Sequence, residues 1–121
     1  MTRVLLVGFT ADAVDLSDLP VDLESLRKSI AEGDAEVEAA GYDVERAWIG
    51  TDHYAGVDEV RKALTNSAFD IVMVGNGVRG NPQYTVLFEQ VVNVVHELAP
   101  RARFAFNADP PSTLEALRRN T

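Results

Sequence analysis

The residues best suited by type and spacing to meet a ligand lie in VGNGVRGNP, residues 74–82, where Gly75, Gly77 and Gly80 keep the G-x-G-x-x-G spacing of a phosphate-binding turn. A dinucleotide-binding turn follows the first strand, opens straight into a helix and is answered about 20 residues later by an acid for the ribose. Here the glycines follow the third strand-like run, and residues 98–108 hold no acid. Asn81-Pro82 adds a second objection. Proline suits the first helical position and makes Asn81 the N-cap, so the next helix starts with one amide taken by that side chain and one missing. What remains for an anion is the loop's own N–H groups, which three glycines can fold into a concave nest, and the guanidinium of Arg79. That set suits a small anion or a carboxylate. Equally, the glycines simply turn the chain and Arg79 is solvated or pairs with an acid of the first loop.

Other polar groups converge on the same region. The run RFAFN ends at Asn107 and is followed by Ala-Asp-Pro-Pro, which places Asn107 and Asp109 on a stiff turn. Asx-turn chemistry with Ser112 accounts for them structurally, whereas Asn107 with Asn76, Arg79 and Thr10 would suit a polar, uncharged or anionic ligand. The ligand-binding set is therefore Thr10, Gly75, Asn76, Gly77, Arg79 and Asn107. Asp52-His53 has the residue types of an acid–base pair, but adjacent side chains point apart and no nucleophile is tied to them, so they read as a polar loop pair. His96, near Glu89, Asn93 and Glu97, reads as part of a solvated helix face. With no cysteine and two histidines, neither thiolate chemistry nor a histidine-rich metal cluster is expected. No catalytic residue or cofactor is named by these patterns.

Four apolar runs must position these groups: RVLLVGF (3–9), DVERAWI (43–49), FDIVMVG (69–75) and RFAFN (103–107). They alternate with helical patterns, the rhythm of a parallel sheet covered by helices in a single domain spanning residues 1–121. The first and third runs are almost continuously apolar, as strands buried on both faces are, and belong in the middle of the sheet. Leu23, Leu26, Ile30, Gly33, Val37 and Ala40 recur at helical spacing over 23–40, with Asp22 as N-cap and Gly41 as stop. Gly33 in that stripe predicts close packing of the helix backbone on the sheet. The acids between Glu24 and Glu38 form the exposed face.

A short helix is expected over 57–65 with Val57, Val60 and Leu64 inward. A broad-faced one is expected over 83–98, with Leu87, Val91, Val94 and Leu98 on one stripe and Phe88, Val92 and Val95 beside it. A last helix starts at Ser112, where Ser112 and Glu115 have capping-box spacing. Right-handed crossovers and central hydrophobic strands give the order 2-1-3-4. In such a sheet ligands sit beyond the carboxyl ends of the strands, where the order reverses between strands one and three. A long first loop, about Thr10 to Val21, reaches that end.

Nineteen acidic and eleven basic residues give a net charge of −8. That charge opposes binding to nucleic acid or an anionic membrane. The opening MTRVLLVGF is too short in apolar residues for a signal peptide or a membrane span, and the expected location is the cytoplasm. Strand four, residues 103–107, is left as an open edge, for which homo-oligomerisation is one cover. A small anionic ligand and a second copy are the expected partners.

The architecture is similar to the flavodoxin-like three-layer sandwich, with a four-stranded sheet in place of five strands. It resembles response-regulator receiver domains, whose phosphoryl transfer requires acids after strand one, an aspartate after strand three and a lysine after strand five; Gly8-Phe9-Thr10 and Gly75-Asn76 stand there instead. FTADAVD does not match the Thr/Ser-rich phosphate loop of flavodoxins, and TDHYAG lacks the spacing of the cobalamin-binding D-x-H-x-x-G. GNGVRGNPQYTVLFEQVVNVVHELAP and RFAFNADPPSTLEALRR are similar to a group of small bacterial and fungal proteins of unassigned function with the pattern G-x-G-[IV]-R, P-x-[YH], LFE, VN, AP, FN and P. That resemblance covers Gly75 to Arg119. It implies that these loops belong together and supplies no catalytic residue.

Overall fold

A computed structural model describes residues 2–10, 13, 22–50 and 52–121. Four strands, β1 (Arg3–Phe9), β2 (Asp43–Ile49), β3 (Ile71–Val74) and β4 (Arg103–Phe106), form one all-parallel sheet in the order β2-β1-β3-β4. The expected 2-1-3-4 topology is therefore present, and its cause is visible in burial. From Val4 onward every residue of β1 is buried, as is every residue of β3, whereas β2 and β4 are mostly half-buried or exposed, as edge strands are.

Helices α1 (Leu23–Ala39) and α5 (Thr113–Arg119) cover one face, and α2 (His53–Asn66) and α4 (Thr85–Leu98) the other. Val37, Ala116 and Leu117 pack on Val4, Leu6, Ile71, Met73 and Ala105. On the opposite face Val60, Leu64, Leu87, Val91, Val94 and Val95 pack on Leu5, Val7, Val72 and Val74. This is the α/β, flavodoxin-like three-layer arrangement. Among the described residues no helix is long and apolar enough to cross a membrane.

Several boundaries differ from expectation for local reasons. Helix α2 begins a turn earlier because Asp52 is its N-cap, accepting from the N–H groups of Tyr54 and Ala55 at 3.0 and 3.4 Å. Asn81 does cap Gln83 N–H at 3.0 Å, but the turn it opens, Pro82–Tyr84, is 3-10, and α4 proper starts at Thr85. Leu98, expected inside, is the last residue of α4 and is exposed. The capping box lies one turn before its expected place. Asp109 Oδ1 accepts Ser112 N–H at 3.0 Å and Ser112 Oγ accepts Asp109 N–H at 3.2 Å, around the 3-10 turn Pro110–Ser112, and Ser112 makes no side-chain bond to α5. Residues 76–79, expected as loop, form a single helical turn, α3 (Asn76–Arg79).

Gly33 is packed closely, though against a different element than expected. A Cβ there would lie 2.6 Å from the carbonyl oxygen of Pro110, so the glycine admits the turn before α5 rather than the sheet. This contact draws α1 and the β4–α5 connection together over the carboxyl end of the sheet.

Candidate functional site

The carboxyl end of β1 carries a glycine where the strand would otherwise present a side chain to α1. Val4 and Leu6 point to that face, and so does position 8. A Cβ on Gly8 would meet only Leu6 Cδ2, at 3.8 Å, among the described residues. The register Val7↔Val74 sets Gly75 beside it, with the Gly8 Cα 3.8 Å from where a Gly75 Cβ would be. Two adjacent glycines on the two central strands thus leave a notch at the point where strand order reverses. The notch is the floor of a cleft of about 230 Å³.

Its walls are Leu26 and Ile30 of α1, Trp48 of β2, and the Ala108–Pro110 turn held against Gly33, with Asn76 and Gly77 at the mouth. Trp48, the chain's one tryptophan, is 38% exposed. Two carboxylates reach the lining. Asp34 is held by Arg46 Nε at 2.9 Å, while Asp109 caps Ser112. No basic side chain lines the cleft among the described residues. For comparison, an apolar cavity of about 150 Å³ takes benzene, and most ligand clefts begin near 300 Å³.

Asn107 stands behind this cleft as a structural hub. It is 7% exposed, and its Oδ1 accepts Asn76 N–H at 2.9 Å while its Nδ2 donates to Thr113 Oγ1 at 2.9 Å. Thr113, 4% exposed, donates a hydrogen bond from its hydroxyl to the Pro110 carbonyl at 2.8 Å. The Asn107 carbonyl accepts Arg79 Nη2. One side chain therefore ties the end of β3, the end of β4 and the start of α5.

Of the six residues expected to bind ligand, Gly75, Asn76, Gly77 and Asn107 line the cleft together. Thr10 and Arg79 do not. Thr10 is exposed and donates its N–H to the Ile49 carbonyl at 3.2 Å. The Arg79 guanidinium lies 5.3 Å from the centroid of Phe106, a ring that packs with the α2/α4 side, and its Nε is buried without a partner. Most of the long first loop, residues 11–12 and 14–21, lies outside the described residues, as do Thr51 and the side chain of His53.

The expected nest of N–H groups does not form. No residue from Gly75 to Gly80 has a positive φ, and four of the loop's N–H groups are already bonded. Gly75 N–H bonds the Val7 carbonyl at 2.9 Å, Asn76 N–H goes to Asn107, Val78 N–H to Gly75 at 3.1 Å and Gly80 N–H to Asn76 at 2.7 Å. Gly80 is required by its own loop, since a Cβ there would fall 2.8 Å from the Asn76 carbonyl oxygen. Within the turn only Gly80 is fixed by a close approach of backbone; a Cβ on Gly75 or Gly77 would meet the Val7 carbonyl oxygen at 3.5 Å and the Phe9 ring at 3.4 Å, respectively.

Sequence reasoning overlooked Gly8, Trp48, Leu26 and Ile30 as cleft residues. A glycine closing an otherwise continuous apolar strand was the available signal. Among the described residues no three His, Asp or Glu side chains gather to hold a metal ion. No family model matches the chain, and no curated protein is significantly similar to it.

Proposed function

We propose that this protein is a small-molecule binding or sensing domain whose ligand enters the cleft between α1 and the carboxyl ends of β1 and β3. The observation that carries this reading is Gly8. Glycine in a strand interior costs conformational entropy and packs nothing, so its presence on the most buried strand, over space that no described residue fills, fits a place kept open for a guest. Leu26, Ile30 and Trp48 offer an apolar wall for a body of one or two rings. Asp34, Asp109 and Asn76 offer acceptors at the rim. Two carboxylates without a lining cation favour a neutral or cationic ligand over the anion expected from Arg79.

Catalysis has less support. Asp34 is engaged by Arg46, Asp109 is engaged by its cap, and no described nucleophile is bonded to a base within the cleft. Trp48 supplies the assay, because any change in intrinsic tryptophan fluorescence reports from this wall. A library of small ring compounds, neutral, cationic and anionic, is screened by Trp48 emission and thermal shift against the natural chain and Gly8→Val. Hits that bind the natural chain and lose at least tenfold in affinity for Gly8→Val are expected. A screen without hits, or hits that bind both proteins equally, overturns the reading.

A further inference from the structure

Among the described residues the sheet has two open edges, and they carry opposite charge. In a parallel ladder alternate residues direct both backbone groups to the same neighbour. Asp43 N–H bonds Thr2 and the Ile49 carbonyl receives Thr10, so Val44, Arg46 and Trp48 turn their backbone groups outward from β2. On β4, Arg103 N–H bonds Asp70, which leaves the backbone of Phe104 and Phe106 facing out.

The β4 edge is basic. Arg79, Arg101, Arg103 and Arg119 surround a four-residue strand, and none of them pairs with a carboxylate among the described residues. Arg119 Nη2 instead donates to the outward Phe106 carbonyl at 3.0 Å. At the other edge the cations are matched: Arg3 pairs with Asp43 at 2.9 Å, and Arg46 with Asp34 and Glu38 at 2.9 and 3.2 Å. Residues 23–49, which make α1 and β2, hold seven acidic against three basic residues, whereas residues 101–121 hold two acidic against four basic. In a chain of net charge −8, arginines without a carboxylate partner gathered on one edge are complementary to an acidic surface, and the opposite edge of the same chain is one.

We propose that copies of this chain associate head to tail, β4 of one copy adding in parallel to β2 of the next. The sheet then continues across the contact through backbone hydrogen bonds, as in strand addition generally. The α1/α5 layer also continues, bringing Arg103 and Arg119 toward the acidic α1 of the neighbour. A two-fold arrangement is disfavoured on either edge, since β4 against β4 opposes arginine to arginine and β2 against β2 opposes acid to acid. The contact is heterologous, so it grows into open chains or closes as a ring instead of stopping at a dimer.

Sedimentation of the full chain from micromolar to near-millimolar concentration, at low and high salt, tests this. The mass is expected to rise with concentration beyond two copies at low salt and to fall as salt screens the edges. Arg101→Glu with Arg103→Glu, and separately Glu38→Lys with Glu45→Lys, each weaken association by about tenfold or more. An equal mixture of the two variants restores it, because each then offers the edge that the other lacks. Circular dichroism and thermal melting of each variant establish that it is folded. A constant monomer at low salt, a dimer indifferent to both reversals, or a mixture that stays dissociated overturns the proposal.

Discussion

Asn107 Oδ1 accepts the backbone N–H of Asn76 at 2.9 Å and so continues, by a side chain, the ladder that β3 and β4 end one residue earlier. The same amide donates to Thr113 Oγ1, which makes Asn107 the point where two strands and α5 are joined. Asn107→Ala leaves the Asn76 amide and the Thr113 oxygen without these partners in a nearly water-free place. Each lost partner costs about 1–3 kcal/mol, and an overall loss of about 2–4 kcal/mol in urea denaturation is expected. A change under about 0.5 kcal/mol, the scale of surface substitutions, shows that the amide is not the joint described.

Gly33→Ala should run against the ordinary rule for helices. In a helix interior alanine is favoured over glycine by about 1 kcal/mol, and an unconstrained Gly33 would follow suit. The added Cβ would stand 2.6 Å from the Pro110 carbonyl oxygen, a backbone atom fixed by the Asp109–Ser112 capping box. The variant is therefore expected to be destabilised, by about 1–3 kcal/mol as for other overpacked sites. A rise in the denaturation midpoint is the contrary result, and it removes the α1–Pro110 contact from the wall of the cleft.

The layout of the sheet was legible because the two central strands announce themselves. RVLLVGF and IVMV are apolar without alternation, and no other placement buries both of their faces. Helix interiors followed from the spacing of Val37, Val60, Leu87 and Val91. The helix ends are less legible: Asp52 reads as half of a polar loop pair yet caps α2, and the capping box expected between Ser112 and Glu115 forms between Asp109 and Ser112. The single turn of α3 escaped because its residues, Asn-Gly-Val-Arg, have weak helical preference, and the turn is held by Asn107, 31 residues away from Asn76. The cleft escaped for a related reason. Gly8 and Gly75 are 67 positions apart, and only the β1–β3 register makes them one notch. The charge of Arg79 suggests a ligand, whereas its guanidinium stands over the ring of Phe106 on the other side of the sheet.

Asp22 gives a dependence on pH. Its carboxylate accepts Ser25 N–H at 2.7 Å at the start of α1, and that bond holds its pKa below the ordinary 3.8. A depressed folded-state value means that the cap contributes stability above the unfolded value and loses the contribution as pH falls through the folded one. Asp22→Asn keeps an oxygen acceptor but removes the titration. Its stability relative to the natural chain should therefore improve as pH drops below 3.8, as measured by thermal melting across the acidic range. A difference between the two proteins that is flat with pH argues that the carboxylate does not act as the cap.

Gly8→Val separates a cleft kept for a ligand from a gap kept by packing. A branched residue suits a central strand, and its methyl groups would enter space where the nearest described atom is Leu6 Cδ2 at 3.8 Å. Reduced unfolded-chain entropy contributes about 0.4–1 kcal/mol, and the newly buried methyl groups add about 0.8 kcal/mol each at most. Gly8→Val should thus melt higher than the natural chain while losing the ligands found through Trp48. A lower melting temperature means that the space over Gly8 is already needed by the fold.

Arg79→Ala decides whether the arginine of the glycine loop belongs to the site or to its scaffold. Its guanidinium donates to the Asn107 carbonyl and stands over Phe106, contacts worth about 1.5–3 and 0.5–1 kcal/mol in general. Against them stands a buried Nε without a partner, a cost that alanine removes. The expected net loss is about 1–2 kcal/mol in stability. Ligand affinity measured through Trp48 should change less than about threefold, well within 1 kcal/mol, because the side chain lies on the α2/α4 side of the sheet and the cleft on the α1/α5 side. If binding is abolished while the fold stays intact, the ligand reaches past Asn76 to the guanidinium, and the anion first suggested by the sequence becomes the better reading of what the cleft holds.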